Sequence, residues 1–129
     1  MTYSAEASTL FHRVGGMPFF LSLVEKFYEG VETDSVLRPL YPPDLAPGKA
    51  YLALFLAQYW GGPRQYESER GHPRLRMRHA PFSIGQEERD AWMLHMTDAV
   101  TDSGASLGDK SLLMGYFNDA ATFMINRPD

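Results

Sequence analysis

The stretch RGHPRLRMRHAPF, residues 70–82, places four arginines, two histidines and two prolines in thirteen positions. It reads either as a basic surface for phosphates or as a frame around one histidine that does chemistry. Leu75 and His79 stand four apart and share a face if the segment is helical, while Arg74 and Arg78 project from a neighbouring strip. Pro81 then ends the turn. A histidine closing so short a helix can be held rigidly, one ring nitrogen donating to a backbone carbonyl as metal-bound histidines usually do. On these residues alone, a core or helix-capping histidine is the reading that general composition favours.

The charge balance decides against phosphates. The chain carries a formal charge of −4 with a pI near 5.5, whereas duplex binding draws on many basic contacts. Five arginines, Arg64, Arg70, Arg74, Arg76 and Arg78, fall within one short span, so the patch is a local exception and no nucleic-acid partner is expected. With no cysteine in the chain, disulfides, thiolate zinc sites, iron–sulfur clusters and covalent c-type haem attachment are excluded. A metal must therefore be held by histidine, carboxylate or hydroxyl groups. Glu69 and His72 have a Glu-x-x-His spacing, but Gly71 and Pro73 break the helix that motif needs and no second copy exists. His12 reads as a surface residue, and His95 as half of a surface pair with Asp98, three residues on.

At 129 residues, 44% hydrophobic and 22% charged, the chain is expected to fold as one domain over residues 1–129, with residues 1–8 a loose extension. Its start lacks a basic and apolar leader, and no stretch approaches about eighteen apolar residues, so no transmembrane segment and a cytoplasmic location are expected. Ala5 to Arg13 reads as a short helix stopped by Val14-Gly15-Gly16. From Met17 to Thr33, Phe20, Val24, Phe27, Tyr28 and Val31 recur at helical spacing, with Pro18 tolerated in the first turn. Pro39, Pro42, Pro43 and Pro47 forbid a long helix before residue 47, which makes LYPPDLAPG (40–48) a crossing loop. GKAYLALFLAQYWGGP (48–63) aligns Leu52, Phe55, Leu56 and Tyr59 on one stripe.

Downstream, Ser83 and Gln86 match a capping box that opens a helix with Trp92, Met96, Ala99 and Val100 on one face. Asp109 reads as the cap of a last helix whose stripe is Leu113, Tyr116, Phe117, Ala120 and Phe123. Nothing alternates with period two for long. The class is all-α with four principal helices, and the 64–82 connection far exceeds the roughly two to eight residues usual in bundles, a mark of function.

The blocks VGG, KFYEGV, LYPPD, YWGGPRQY, RGHPRLRMRHAPF and ERDAW, in that order from Leu10 to Arg127, together resemble the group II truncated haemoglobins. The resemblance implies a truncated globin-like two-on-two helical sandwich around one haem b, iron protoporphyrin IX. It implies His79 as the proximal iron ligand. It also implies that Tyr28, Tyr41 and Trp92 line the other face of the haem as donors to a bound ligand. Gly15-Gly16 and Gly61-Gly62 match the family's tight helix ends, and Gly48 falls at the distal gate, where lack of a side chain suggests an opened passage.

Haem is flat and apolar apart from two propionates, so its site needs apolar stripes and cations at one rim. Leu52, Phe55, Leu56, Leu75, Phe82 and Met96 supply the first, although each would also serve as a core residue in any bundle. Arg78, with Tyr59 or Lys49, supplies the second. Three functions then compete. One is tight binding of oxygen, nitric oxide, carbon monoxide or peroxide in service of haem redox chemistry with an external reductant, peroxidase-like or nitric-oxide-dioxygenase-like. Another is reversible oxygen storage, transport or sensing. The third is a haem-free helical interaction module. Monomer and homo-oligomer stay equally open.

Overall fold

The structure is a computed structural model that describes residues 9–128; the expected N-terminal extension, residues 1–8, lies outside the described residues. The first helix, α1 (Leu10–Arg13), starts where the Thr9 hydroxyl accepts from the His12 amide at 3.3 Å. A reversal through Val14–Gly16 leads into α2 (Met17–Thr33), with Pro18 in the first turn, where its missing N–H would lack a helical partner anyway. Phe20, Leu23, Val24, Phe27, Tyr28 and Val31 form its buried stripe. After a single 3-10 turn, Arg38–Leu40, comes α3 (Ala46–Tyr59), which takes Pro47 into its own first turn. It stops where the Gly62 amide returns to the Ala57 carbonyl at 2.7 Å.

The long 64–82 connection contains two short helices, α4 (Gln65–Arg70) and α5 (Leu75–His79). The sequence signals only the second, because α4 buries little beyond Tyr66 and so has no stripe to read. Two long helices follow, α6 (Gln86–Asp102) and α7 (Leu107–Phe123). Their caps differ from expectation. Ser83 does not cap α6: Ile84 is pulled into the interior by backbone and side-chain hydrogen bonds with Asn126, at 2.8 and 2.9 Å, so the chain stays outside the helix until Gly85. There the Glu88 carboxylate accepts from the Gly85 amide at 2.7 Å. Asp109 does not cap α7 either. Ser106 does, its hydroxyl accepting from the Asp109 amide, while the Asp109 carboxylate is engaged by Arg13 at 2.8 Å and is held below the usual carboxylate range by that pairing.

α2 packs on both α3 and α6, and α6 packs on α7. The pairs α2/α3 and α6/α7 thus make the all-α, two-on-two sandwich. Between them lie Phe20, Phe27, Leu56, Met96, Leu113 and Phe117, all essentially without solvent exposure. Among the described residues no helix is long and apolar enough to cross a membrane.

Candidate functional site

A cavity of about 500 Å³ opens between these layers, within the size range of pockets that enclose a small molecule or cofactor. α3 gives it Leu52, Phe55 and Leu56; α5 and the loop after it give Leu75, His79 and Phe82; Tyr28, Tyr41 and Trp92 arrive from α2, the turn after α2, and α6. Five elements spread along the sequence therefore converge on one apolar space.

His79 is held as its spacing from Leu75 requires. The Leu75 carbonyl lies 2.6 Å from Nδ1, so Nδ1–H donates to it and Nε2 is left as the nitrogen with a lone pair to offer. The arginines around it fasten the segment. Arg78 donates to the carbonyls of Pro73 at 2.8 Å and Arg70 at 3.1 Å, and Arg76 reaches the Phe123 carbonyl at 3.2 Å. Arg74, just before α5, has φ of 44°, a left-handed conformation costly for a residue with a Cβ and typical of chain held in place by its surroundings. A further clamp went unread in the sequence. The Asn126 amide donates to the carbonyls of Phe82 at 2.8 Å and His79 at 3.3 Å, and Arg127 bridges Ser83 and Glu88. No periodic pattern marks such a clamp, because both residues follow the last helix.

Tyr28, Tyr41 and Trp92 meet. The phenol rings of Tyr28 and Tyr41 stand nearly perpendicular with centroids 5.7 Å apart, and the Trp92 indole N–H, which can only donate, lies within electrostatic reach of the Tyr41 phenol. Burial pushes the Tyr28 phenol up to about 12, and burial followed by the neighbouring Tyr28 pushes Tyr41 up as well. Burial likewise takes Tyr116, also on the cavity wall, to about 12. All three phenols thus keep their protons at neutral pH. A folded-state value above the ordinary 10.0 means that the stabilisation is fully present below pH 10.0 and is lost as pH rises toward 12. Alkaline titration followed by circular dichroism is expected to show unfolding coincident with tyrosinate absorbance; ionisation of every tyrosine near 10 in folded protein would contradict this.

Gly48 does not open a passage by leaving space empty. A Cβ there would lie 2.8 Å from the Tyr28 hydroxyl, so that hydroxyl already fills the place. Gly48→Ala is expected to displace the Tyr28 hydroxyl and speed oxygen release several-fold, as measured by stopped flow; an unchanged rate would show that the hydroxyl yields without consequence.

Other expected positions fall elsewhere. Met96 lies sealed in the core, since its turn of α6 faces the helix interface. Tyr59 is half exposed and stacks on Tyr116 at 4.1 Å. Lys49 pairs with Glu25 at 3.1 Å. Arg78, with its donors on backbone carbonyls, is not on the cavity wall; the arginine of this segment that borders the cavity is Arg70, stacked over Tyr51 at 4.3 Å. His95 does not pair with Asp98 but with Asp34, at 2.6 Å across the helix layers. Tyr116, Phe117 and Ala120 of α7, which read as plain core, also border the cavity.

Among the described residues, no three His, Cys, Asp or Glu side chains gather as a metal-ligand set. One imidazole on an apolar wall instead suits a metal that brings its own ligands in a flat group. The residues fit haem on this count: apolar walls, His79 with one nitrogen fixed and the other unengaged, and a guanidinium, Arg70, for an anionic rim. Comparison with known proteins agrees. Residues 9–126 match the family model of bacterial-like globins. A group 2 truncated hemoglobin, YjbI, of Bacillus subtilis (strain 168) is 39% identical over 88% of this chain and 86% of its own length. The hemoglobin of the thermophilic phototroph Chloroflexus aurantiacus superposes with a TM-score of 0.91 at 51% identity, covering 92% of this chain and 98% of that one. A truncated oxygen-avid haemoglobin from Bacillus subtilis gives 0.87 at 37% identity, over 92% of this chain and 100% of that one. The chain belongs to the bacterial-like globins and, within them, to the group II truncated haemoglobins.

Proposed function

We propose that the haem-based gas binding of this family is turned here to tight retention of oxygen or a related diatomic ligand, in service of redox chemistry on oxygen, nitric oxide or peroxide with an external reductant. His79 Nε2 would hold the haem b, and Arg70, on the same cavity wall, would pair with its propionates. When bound, haem supplies an iron that ligates diatomic molecules and exchanges electrons with them.

The protein's part is protons and exclusion of water. The Trp92 indole can only donate, and it stands beside the Tyr41 phenol on the cavity wall. With Trp92 giving its proton to the Tyr41 oxygen or to a ligand, Tyr41 keeps its own proton to present. Tyr28 holds a second phenol proton beside it. Hydrogen bonds to a partly charged ligand atom are worth about 1.5–3 kcal/mol each, so two would slow escape by roughly 10²–10⁴-fold. Aliphatic and aromatic walls keep water from competing.

The observation that carries this reading is the meeting of two protonated phenols, Tyr28 buried and Tyr41 partly buried, with an indole N–H in the cavity that His79 lines. The oxygen-avid character given for the Bacillus subtilis haemoglobin lends support. Stopped-flow oxygen release from the ferrous protein tests it. Release over seconds or longer is expected, whereas release within about a millisecond would defeat retention and favour reversible storage or sensing.

A further inference from the structure

The buried pair His95–Asp34 lies outside the cavity, and nothing so far gives it a role. His95 follows Trp92 by three residues on α6, so the two side chains are neighbours on one helix face. From His95, Nε2–H donates to the Asp34 carboxylate at 2.6 Å, with both side chains more than four-fifths buried. The other carboxylate oxygen of Asp34 accepts from the amides of Val36 and Leu37, at 2.8 and 3.1 Å. Its carbonyl accepts from the Arg38 amide at 2.8 Å. The Arg38 guanidinium in turn holds the carbonyls of Tyr41, Pro42 and Pro43, at 3.4, 2.9 and 3.0 Å.

Asp34 to Pro43 is thus one hydrogen-bonded unit, and α6 meets it at two points: His95 bonds Asp34 at one end, and Trp92 stands beside Tyr41 at the other, both on the cavity wall. The imidazole reaches Asp34 by crossing α2 at Gly30. A Cβ on Gly30 would come 2.1 Å from His95 Nδ1, so any larger residue there would evict the ring. Glycine inside a helix costs stability relative to alanine, and close approach of His95 is the use to which this one is put.

We infer that His95, admitted by Gly30 and acting through Asp34, is a positioning residue that sets where the turn carrying Leu37 and Tyr41 meets Trp92, and so fixes the distal donors. This rests on the proposed role of Tyr41 and Trp92. Fixing only one end would leave Tyr41 to rock about its contact with Trp92, and hydrogen bonds weaken steeply with misalignment.

The test compares parent, His95→Leu, His95→Gln and Asp34→Asn in the haem-loaded protein. Asp34→Asn keeps an oxygen for the Val36 and Leu37 amides while changing the group that meets His95, and serves if His95→Leu does not fold. Three readouts are taken: the C–O stretch of the carbon monoxide adduct, the oxygen release rate, and hydrogen exchange at the Val36 and Leu37 amides and the Trp92 indole. His95→Leu is expected to split or shift the C–O band, speed oxygen release by about tenfold and accelerate exchange at all three sites. His95→Gln, which can still donate to Asp34, should restore the parent band and rate. Faster amide exchange with an unchanged C–O band and release rate would overturn the inference, leaving the pair a staple between elements; unchanged exchange would overturn it too. If the parent takes up no haem, the missing Soret band marks failure of the functional reading, and indole exchange alone decides the role of His95.

Discussion

His79→Ala is expected to lose haem, or to keep it without imidazole coordination, while retaining its helical content by far-ultraviolet circular dichroism. Removing a mere supporting partner of a metal ligand costs about 10–100-fold in affinity, and loss of the ligand itself should exceed that. The fold should survive because the His79 ring contributes one local bond, to Leu75, and the segment stays fastened by Arg78, Asn126 and Arg127. Free imidazole added to the variant should restore part of the parent spectrum by occupying the vacated position. A ferrous spectrum identical to the parent's, without imidazole, would move the iron ligand to another residue.

The next largest effect falls on Trp92. Trp92→Phe keeps an aromatic ring against Phe27 and Phe117, whose centroids lie 5.1 and 5.8 Å away, but removes the only proton that the indole can give. Tyr41 then loses the indole N–H beside it, and both its position and the proton it presents become less defined. One hydrogen bond of about 1.5–3 kcal/mol corresponds to about 10–100-fold faster oxygen release. An unchanged off-rate, read by stopped flow, would remove Trp92 from the distal network and leave the two phenols to act without it.

Much of this was legible in the sequence because it is written in periodicity and spacing. The apolar stripes of α2, α3, α6 and α7 give the class, and the Leu75–His79 interval gives a histidine tied to the carbonyl four residues before it. What escaped was contact between elements remote in the chain. Asn126 and Arg127 follow the last helix and carry no pattern, yet they clamp the loop after His79. His95 read as half of a surface pair because its partner Asp34 is 61 positions away, and nothing in the spacing marks Gly30 as the place where its ring crosses α2. Gly48 was legible as special but with the wrong consequence, since only the fold shows that the Tyr28 hydroxyl stands where a methyl group would go. The four arginines of residues 70–82 raised the right question, and three-dimensional detail divided them: Arg78 braces backbone while Arg70 borders the cavity.

The most direct test of a haem held between His79 and the distal donors is the absorption spectrum of the purified protein titrated with hemin, then reduced and oxygenated. A saturating Soret band at one haem per chain, converting to a stable oxygenated form and lost in His79→Ala, is the expected result. Folded protein that gains no Soret band beyond that of hemin in buffer would contradict it.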